Sequence, residues 1–428
     1  KLMKIQKILK RLLQLHPKGE PSTLARIKRL LKDLNSPEKK IDNLVQVVGT
    51  NGKHSFCVAF REIIEEAGYK CNLNISPSLR KFNERFYILG KYISDEELYS
   101  LLNEVEKIND GQSISFHEII TAAWILQASR NQSDINIMEA GALFRLDSSN
   151  VFKKNLCSVV MPIDIDHRDF LKKGTIDEIV YEKCSHLLPG SKIIISEQKK
   201  NTLEEIKKNI SKNSSKKLLF GKDYNYKKNN NGFVYKDYLG QVNLPSPNLI
   251  GDFQISNVAT AIAAARSLDQ FKITKLNIRN AITKIRSEGR LQIITKGKLR
   301  KYVSKYNQII IDGAHNPLAA LVVKKYLDTL DKKKKVFMIL GMMANKEHKK
   351  FIQIFKNRIH SVITLDIPNQ ENFLEKKKLS EIVLSCGIPA KSESSIKSAL
   401  KKFSNKDNKA IIFCTGSLYF SGEILNLN

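Results

Sequence analysis

The segment that most constrains this chain is Gly49-Thr50-Asn51-Gly52-Lys53-His54-Ser55, which directly follows the apolar run Leu44-Val45-Gln46-Val47-Val48. A buried strand, a tight glycine turn and a lysine and hydroxyl opening a helix make a phosphate-binding loop. Its backbone amides and the helix N-terminus both point at an anion. Lys53 is spaced to reach terminal phosphates and Ser55 to ligate Mg²⁺, so ATP or a related triphosphate is the expected ligand. The general phosphate-loop pattern is not fully met. Val47 stands where its first glycine belongs, and His54 follows the lysine where Ser or Thr is expected. A plain glycine turn with Lys53 in solvent fits the same residues, so the choice depends on the rest of the chain.

With 428 residues the chain has room for two or three domains with large cores. No apolar run approaches the roughly 20 residues that cross a bilayer. The six cysteines show no CxxC pair and no metal-type spacing, which fits reduced thiols and a cytoplasmic location. The first fifteen residues are basic and amphipathic, with Leu2, Ile5, Leu9 and Leu12 on one face. The same pattern resumes from Leu24 to Leu31 without a processing boundary. That points to a helix packed on the domain rather than a transit peptide or membrane-surface helix. A formal charge of +29 raises nucleic-acid binding. The lysines, however, are spread along the whole chain, with no basic stripe interleaved by aromatics, so neither nucleic acid nor membrane is expected as a partner.

Strand and helix signals alternate. Strands are expected at 44–48, 70–75, 134–139, 157–163 and 192–196, with a hairpin at 85–93. Helices are expected at 55–67, 95–107, 116–130, 175–188 and 256–267. Residues 199–245 are polar and rich in Asn and Lys, and read as strands and variable loops. A second series begins near Arg290, with strands at 308–311, 336–340, 361–365 and 410–414. Such alternation predicts an α/β fold, an ATP-binding domain with a mostly parallel sheet and a smaller Rossmann-like domain, divided at 1–288 and 289–428. Ligands in such folds lie at the carboxyl ends of strands, where Gly49, Glu139 and Asp312 all fall.

Taken in order, the motifs resemble the folylpolyglutamate synthase/dihydrofolate synthase family of the Mur ligase superfamily. They are Gly49-Thr50-Asn51-Gly52-Lys53, Ser76-Pro77-Ser78-Leu79 with Asn83-Glu84-Arg85, and Glu139-Ala140-Gly141 with Arg145-Leu146-Asp147 and Asn150. Asp166-His167 and Glu182-Lys183 follow, then Gln254 with Asn257-Val258-Ala259-Thr260-Ala261 and Gly289-Arg290-Leu291-Gln292. Ile311-Asp312-Gly313-Ala314-His315-Asn316-Pro317 and Thr415-Gly416-Ser417-Leu418-Tyr419 complete the series. The resemblance runs from about Ser22 to Ile424. It implies a ligase that phosphorylates a carboxylate with ATP and lets the amine of L-glutamate attack the acyl phosphate, in a cleft between two domains. Dihydropteroate, a folate, or both would be the acceptor, and a monomer is the family habit.

That chemistry needs charge neutralisation and positioning more than a covalent nucleophile. The resemblance implies that Lys53 stabilises the transferring phosphoryl group and that Ser55 and Glu139 hold one Mg²⁺. It implies that His167 ligates a second Mg²⁺, and that Lys183 is the lysine carbamylated in this superfamily, which turns a cation into an anionic ligand. Gly49 to Ser55, Asn257, Arg290, Asp312 and His315 would contact the nucleotide, and Ser76, Pro77, Ser78 and Arg85 the pterin-bearing substrate. Each also has a plainer role: Glu139 a solvated strand-end acid, His167 a loop histidine, Lys183 a surface helix residue, Asp312 a turn former, Arg290 an interdomain ion pair. Phe82, Phe86 and Tyr87 offer stacking surface, with core packing the expected role for at least two. Several family residues are replaced. His54 takes a glycine position, Leu143 and Phe144 a Gly-Gly pair, Ser78 a histidine, Ser185 a glycine, and Pro162 and Asp164 smaller or polar residues. The replacement of Gly-Gly implies a reshaped loop. Competing readings are a Mur-type ligase for another acid, a nucleic-acid-binding ATPase and a degenerate nucleotide-binding scaffold.

Overall fold

The computed structural model describes residues 2–15, 22–166 and 171–428. The chain forms two compact units, one of residues 1–78, 82–248 and 254–285, the other of 79–81, 249–253 and 286–428.

The first unit is built on a sheet of eight strands. They are β1 (Leu44–Val48), β2 (Cys71–Asn74), β3 (Tyr87–Ile88), β4 (Lys91–Tyr92), β5 (Ile135–Glu139), β6 (Cys157–Val160), β7 (Lys192–Ile195) and β8 (Lys216–Leu219). Their order is β4-β3-β2-β5-β1-β6-β7-β8, parallel from β2 to β8, with the β3–β4 hairpin antiparallel at the edge. β1 is central and buried at every position. That is why it reads as a continuous apolar run rather than an alternating one. Helices cover both faces. Trp124 and the apolar sides of Leu2–Gln14, Ala25–Asp33, Asp95–Asn109 and Phe116–Arg130 form one core. Phe144, Val160, Ile179, Val180 and Ile193 lie in the other. The N-terminal helix does pack on the domain, burying Ile5, Ile8 and Leu12. Phe86 and Tyr87 are buried and Phe82 packs against the same core, so these rings are structural.

A meander of β9 (Tyr224–Asn229), β10 (Gly232–Asp237) and β11 (Gly240–Pro245) follows. Residues 199–245 also contain a helix, Lys200–Asn209, in place of the expected strands and loops. Only Thr202 and Ile206 of that helix are buried, so its apolar stripe is too thin to show against its lysines. The strand expected at 157–163 ends at Val160, because Met161–Asp164 turn away to receive the loop after β1.

The second unit has a six-stranded sheet of β12 (Gln292–Ile293), β13 (Gln308–Ile311), β14 (Val336–Leu340), β15 (Ile359–Thr364), β16 (Ala390–Ser392) and β17 (Ile411–Thr415). Its order is β12-β13-β17-β14-β15-β16, parallel except for β12. Successive side chains alternate between two cores: Ile310, Met338 and Phe413 lie in one, Ile309, Ile311, Phe337 and Ile412 in the other. The α/β architecture is therefore the expected one. Among the described residues no helix is long and apolar enough to cross a membrane.

Candidate active site

The loop after β1 leads straight into the helix Lys53–Glu66, with Gly52 as its N-cap at φ 82°. A side chain on Gly52 would put its Cβ 2.7 Å from Asn257 Oδ1, in a left-handed conformation that glycine adopts without cost. Asn257 is held in turn, its Nδ2 donating to Gln254 Oε1 at 3.0 Å. The first amides of the helix have no partner within it and face the loop.

Two ammonium groups converge on one backbone oxygen. Lys53 Nζ donates to Gly49 O at 2.9 Å, and Lys183 Nζ donates to the same oxygen at 3.1 Å. Lys183 Nζ also donates to Ala142 O at 2.5 Å. Lys183 is 2% exposed, on the buried side of the helix Ile176–Cys184, and is not a surface residue. Burial, and then the charge of Lys53, hold its amine down at about 7, against the opposing pull of Asp166 and Asp147. Carbonyl oxygens thus take both amines, while the carboxylates of Asp166 and Asp147 act on Lys183 by charge.

Glu139 ends β5, the strand next to β1, where it pairs in register with Val47. It is buried, as is Ser55, and its Oε2 accepts from Ser76 N at 3.2 Å. Cys57, one turn after Lys53, feels both charges: burial and then Glu139 push its thiol well up, while Lys53 pulls it down. The charges of Glu139 and Lys53 thus both act on Cys57. Ser55 and Glu139 are hard oxygen donors, and such a pair suits a Mg²⁺ ion that draws its remaining ligands from phosphates and water. Among the described residues no group of three or more His, Cys, Asp or Glu could by itself hold a metal. His167 lies outside the described residues.

The loop 141–147 carries the two bulky replacements. Phe144 is fully buried in the core beside Ile179 and Val180, while Leu143 is half-buried. The amides of Phe144 and Arg145 donate to Glu182 O at 3.2 and 2.8 Å, and Arg145 Nε donates to the Glu182 carboxylate at 3.0 Å. This staple brings Ala142 O to Lys183. Nearby, Asp147 Oδ2 lies 3.3 Å from His117 Nε2. Burial raises the Asp147 carboxyl, but His117 and the hydrogen bonds from Ser149 outweigh it and hold it below its ordinary range. Neither the backbone acceptors nor the His117–Asp147 pair was visible in the sequence. A carbonyl has no residue signature, and the pair is separated by thirty positions of unrelated pattern. Of the substrate-loop residues, Ser76 touches Glu139 through its amide. Arg85 lies over the Phe82 ring at 4.9 Å, and its carbonyl accepts from Asn74 Nδ2.

Within the second unit, Arg290, Asp312 and His315 come together. The Asp312 carboxylate accepts from Leu291 N at 2.8 Å and from Ala314 N at 2.7 Å. Gly313 N donates to Gly289 O at 2.9 Å. This clasp holds Leu291 at φ 48°, a left-handed conformation unusual for a branched side chain. Burial raises the Asp312 carboxyl, opposed first by the charge of Arg290 and later by that of His315. His315 Nδ1 lies 3.0 Å from Gly313 O, and Asn316 Oδ1 caps the helix Pro317–Thr329 through Ala319 N at 2.9 Å.

The Mur ligase middle domain family matches residues 47–265, and the family of the dihydrofolate synthetase C-terminal domain matches residues 295–427. The chain belongs to the folylpolyglutamate synthase/dihydrofolate synthase family of Mur ligases. A dihydrofolate synthase/folylpolyglutamate synthase of Bacillus subtilis is 28% identical over 437 residues, covering 95% of each chain. The fold is also that of Escherichia coli FolC solved with DHPP and ADP, at 23% identity and a TM-score of 0.86, over 99% of this chain and 97% of that one. A Yersinia pestis folylpolyglutamate synthase/dihydrofolate synthase solved with AMPPNP and a Mn ion has 21% identity and a TM-score of 0.84, over 98% of this chain and 97% of that one. In this family member the buried lysine, the strand-end glutamate and the glycine loop occupy one end of a single parallel sheet.

Proposed function

We propose that the chain is an ATP-dependent ligase that adds L-glutamate to dihydropteroate, to a reduced folate, or to both, through an acyl phosphate. The observation that carries this reading is the convergence of Lys53 and Lys183 on Gly49 O, next to the strand that ends in the buried Glu139. A carboxylate is a poor acyl donor, and its phosphorylation brings two anions together. In a low-dielectric volume the fixed charge of Lys53, together with a metal ion held by buried oxygens, would lower that barrier most.

In this reading the amides from Gly52 to Ser55 hold the phosphates, and Lys53 leaves Gly49 O to follow the transferring phosphoryl group. Gly49, Thr50 and Asn51 shape the loop, and Asn257 borders the nucleotide. Ser55 and Glu139 would hold Mg²⁺, which when bound would supply charge screening for the phosphates. His167 completes a second Mg²⁺ site. Lys183 is carbamylated: an amine held near 7 has the neutral fraction that reacts with CO₂ at ordinary pH. Arg290, Asp312 and His315 serve the nucleotide from the second domain, the two domains dividing at 288/289. Ser76, Pro77, Ser78 and Arg85 line the path of the pterin-bearing acid. The six cysteines are free and buried, in keeping with a monomer working in the reducing cytoplasm.

The test is phosphate release by purified protein with every combination of ATP, Mg²⁺, dihydropteroate or reduced folate, and glutamate. Release that requires all four is expected. Steady turnover without glutamate overturns the proposal.

A further inference from the structure

We infer that Thr50 is a positioning residue: it fastens the nucleotide loop to Met161–Asp164, so that the loop holds its shape before any anion arrives. The inference rests on the reading of residues 49–55 as that loop and assigns a part within it. Thr50 is the loop's second residue and its side chain is buried. Its hydroxyl is used in both senses on one partner residue. Thr50 Oγ1 donates to Asp164 O at 2.9 Å and accepts from Asp164 N at 3.0 Å. The amides of Thr50 and Asn51 donate together to Pro162 O, at 2.9 and 3.2 Å. Beside them, a Cβ on Gly49 would fall 2.7 Å from Met161 Cβ, so the two segments pack as closely as backbone allows. A phosphate oxygen can take neither these amides nor the hydroxyl proton without breaking this seam. The anion is therefore met by the amides that begin at Gly52.

The receiving segment is itself braced from the far side. Gln198 Oε1 accepts from Ile163 N at 3.0 Å, Gln198 Nε2 donates to Met161 O at 3.0 Å, and Lys199 Nζ pairs with Asp164 Oδ2 at 2.5 Å. Thr50 thus hooks the loop onto a strut running back to the end of β7. The same strut continues to Asp166, whose charge acts on Lys183.

Thr50→Val keeps the shape and removes both hydroxyl bonds, leaving the Asp164 amide without its acceptor. Thr50→Ser keeps the hydroxyl and removes only the methyl group. Two measurements are made on nucleotide-free protein and on ATP titrations: hydrogen exchange of the peptide spanning 161–166, and ATP affinity by calorimetry. Thr50→Val is expected to speed exchange there before any nucleotide is added and to weaken ATP roughly tenfold, the scale of one buried donor left unsatisfied. Thr50→Ser is expected to return both most of the way. A direct phosphate ligand would weaken ATP while leaving exchange in the empty protein at the wild-type rate, and that result overturns the inference. So does fast exchange with unchanged ATP affinity. Thr50→Ala takes the place of Val if that variant does not fold. Lys53→Ala separates the two levels: if wild type does not bind ATP, or Lys53→Ala binds it equally well, the loop reading falls and takes this one with it. If Lys53→Ala loses ATP and Thr50→Val does not, only the part given to Thr50 falls.

Discussion

The loop after β1 and the loop after β13 occupy the same place in their respective sheets, the carboxyl end of a buried parallel strand, yet they are built in opposite ways. After β1, one half-buried and one buried lysine rest on backbone carbonyls. Lys53 and Lys183 both donate to Gly49 O, and Lys183 also to Ala142 O. After β13, a buried carboxylate rests on backbone amides, and Asp312 spends its oxygens on Leu291 and Ala314. On the proposed function, removing a cation from the first region takes away charge that serves the ligand. Removing the anion from the second undoes a piece of backbone. Position in a sheet therefore says where a ligand binds, but the sign and the partners of the buried charge say what the protein does there.

Perturbing the two regions separately tests that contrast. The largest effect is expected from Phe144→Ala, which empties the core position anchoring the loop that presents Ala142 O to Lys183. Urea unfolding should show a loss of about 3–5 kcal/mol. Lys53→Ala should leave urea stability near wild type while kcat falls by roughly 10²- to 10³-fold, as for loss of one electrostatic stabiliser. An equal loss of stability would remove the distinction between charge store and scaffold. Asp312→Ala should do the reverse, costing about 2 kcal/mol of stability because two amides lose their acceptor. Were its stability unchanged, the clasp would not be what holds Leu291.

A fourth measurement addresses Lys183. Between pH 7 and 10.5 the unfolded chain carries a proton on this amine that the folded chain has shed. Stability should therefore rise with pH across that window, by up to about 1.4 kcal/mol per pH unit. Lys183→Met should flatten that rise. Carbamylation in the folded protein would show as extra mass at Lys183 and would also sharpen the rise. The smallest change is expected from Arg80→Ala. Its exposed pair with Glu288, at 3.4 Å, contributes at most ~1 kcal/mol, so this substitution is a surface control for the others.

Much of the fold was legible because its signals are local. The strands at 308–311 and 336–340 and the helix Phe116–Arg130 were read to the residue. Unbroken apolar runs mark the first two, and a Ser115–Glu118 capping box marks the third. Lys200–Asn209 was missed because two buried residues among lysines make no visible period. Lys183 shows the limit for the site. By type and spacing it is a helix-surface lysine, and its burial depends on Phe144 anchoring a loop that stands forty residues earlier in the chain. In the same way, nothing in the letters of Pro162 or Asp164 announces that their backbones receive Thr50.

The order of apolar runs, glycine turns and short motifs was enough to determine the α/β architecture and the family. Those properties follow from residue-level preferences that act over a few positions. Which cations are buried, which carbonyls hold them, and which carboxylate braces backbone were decided only when distant segments packed together. Burial and hydrogen-bond partnership belong to the assembled chain, and no residue carries them alone.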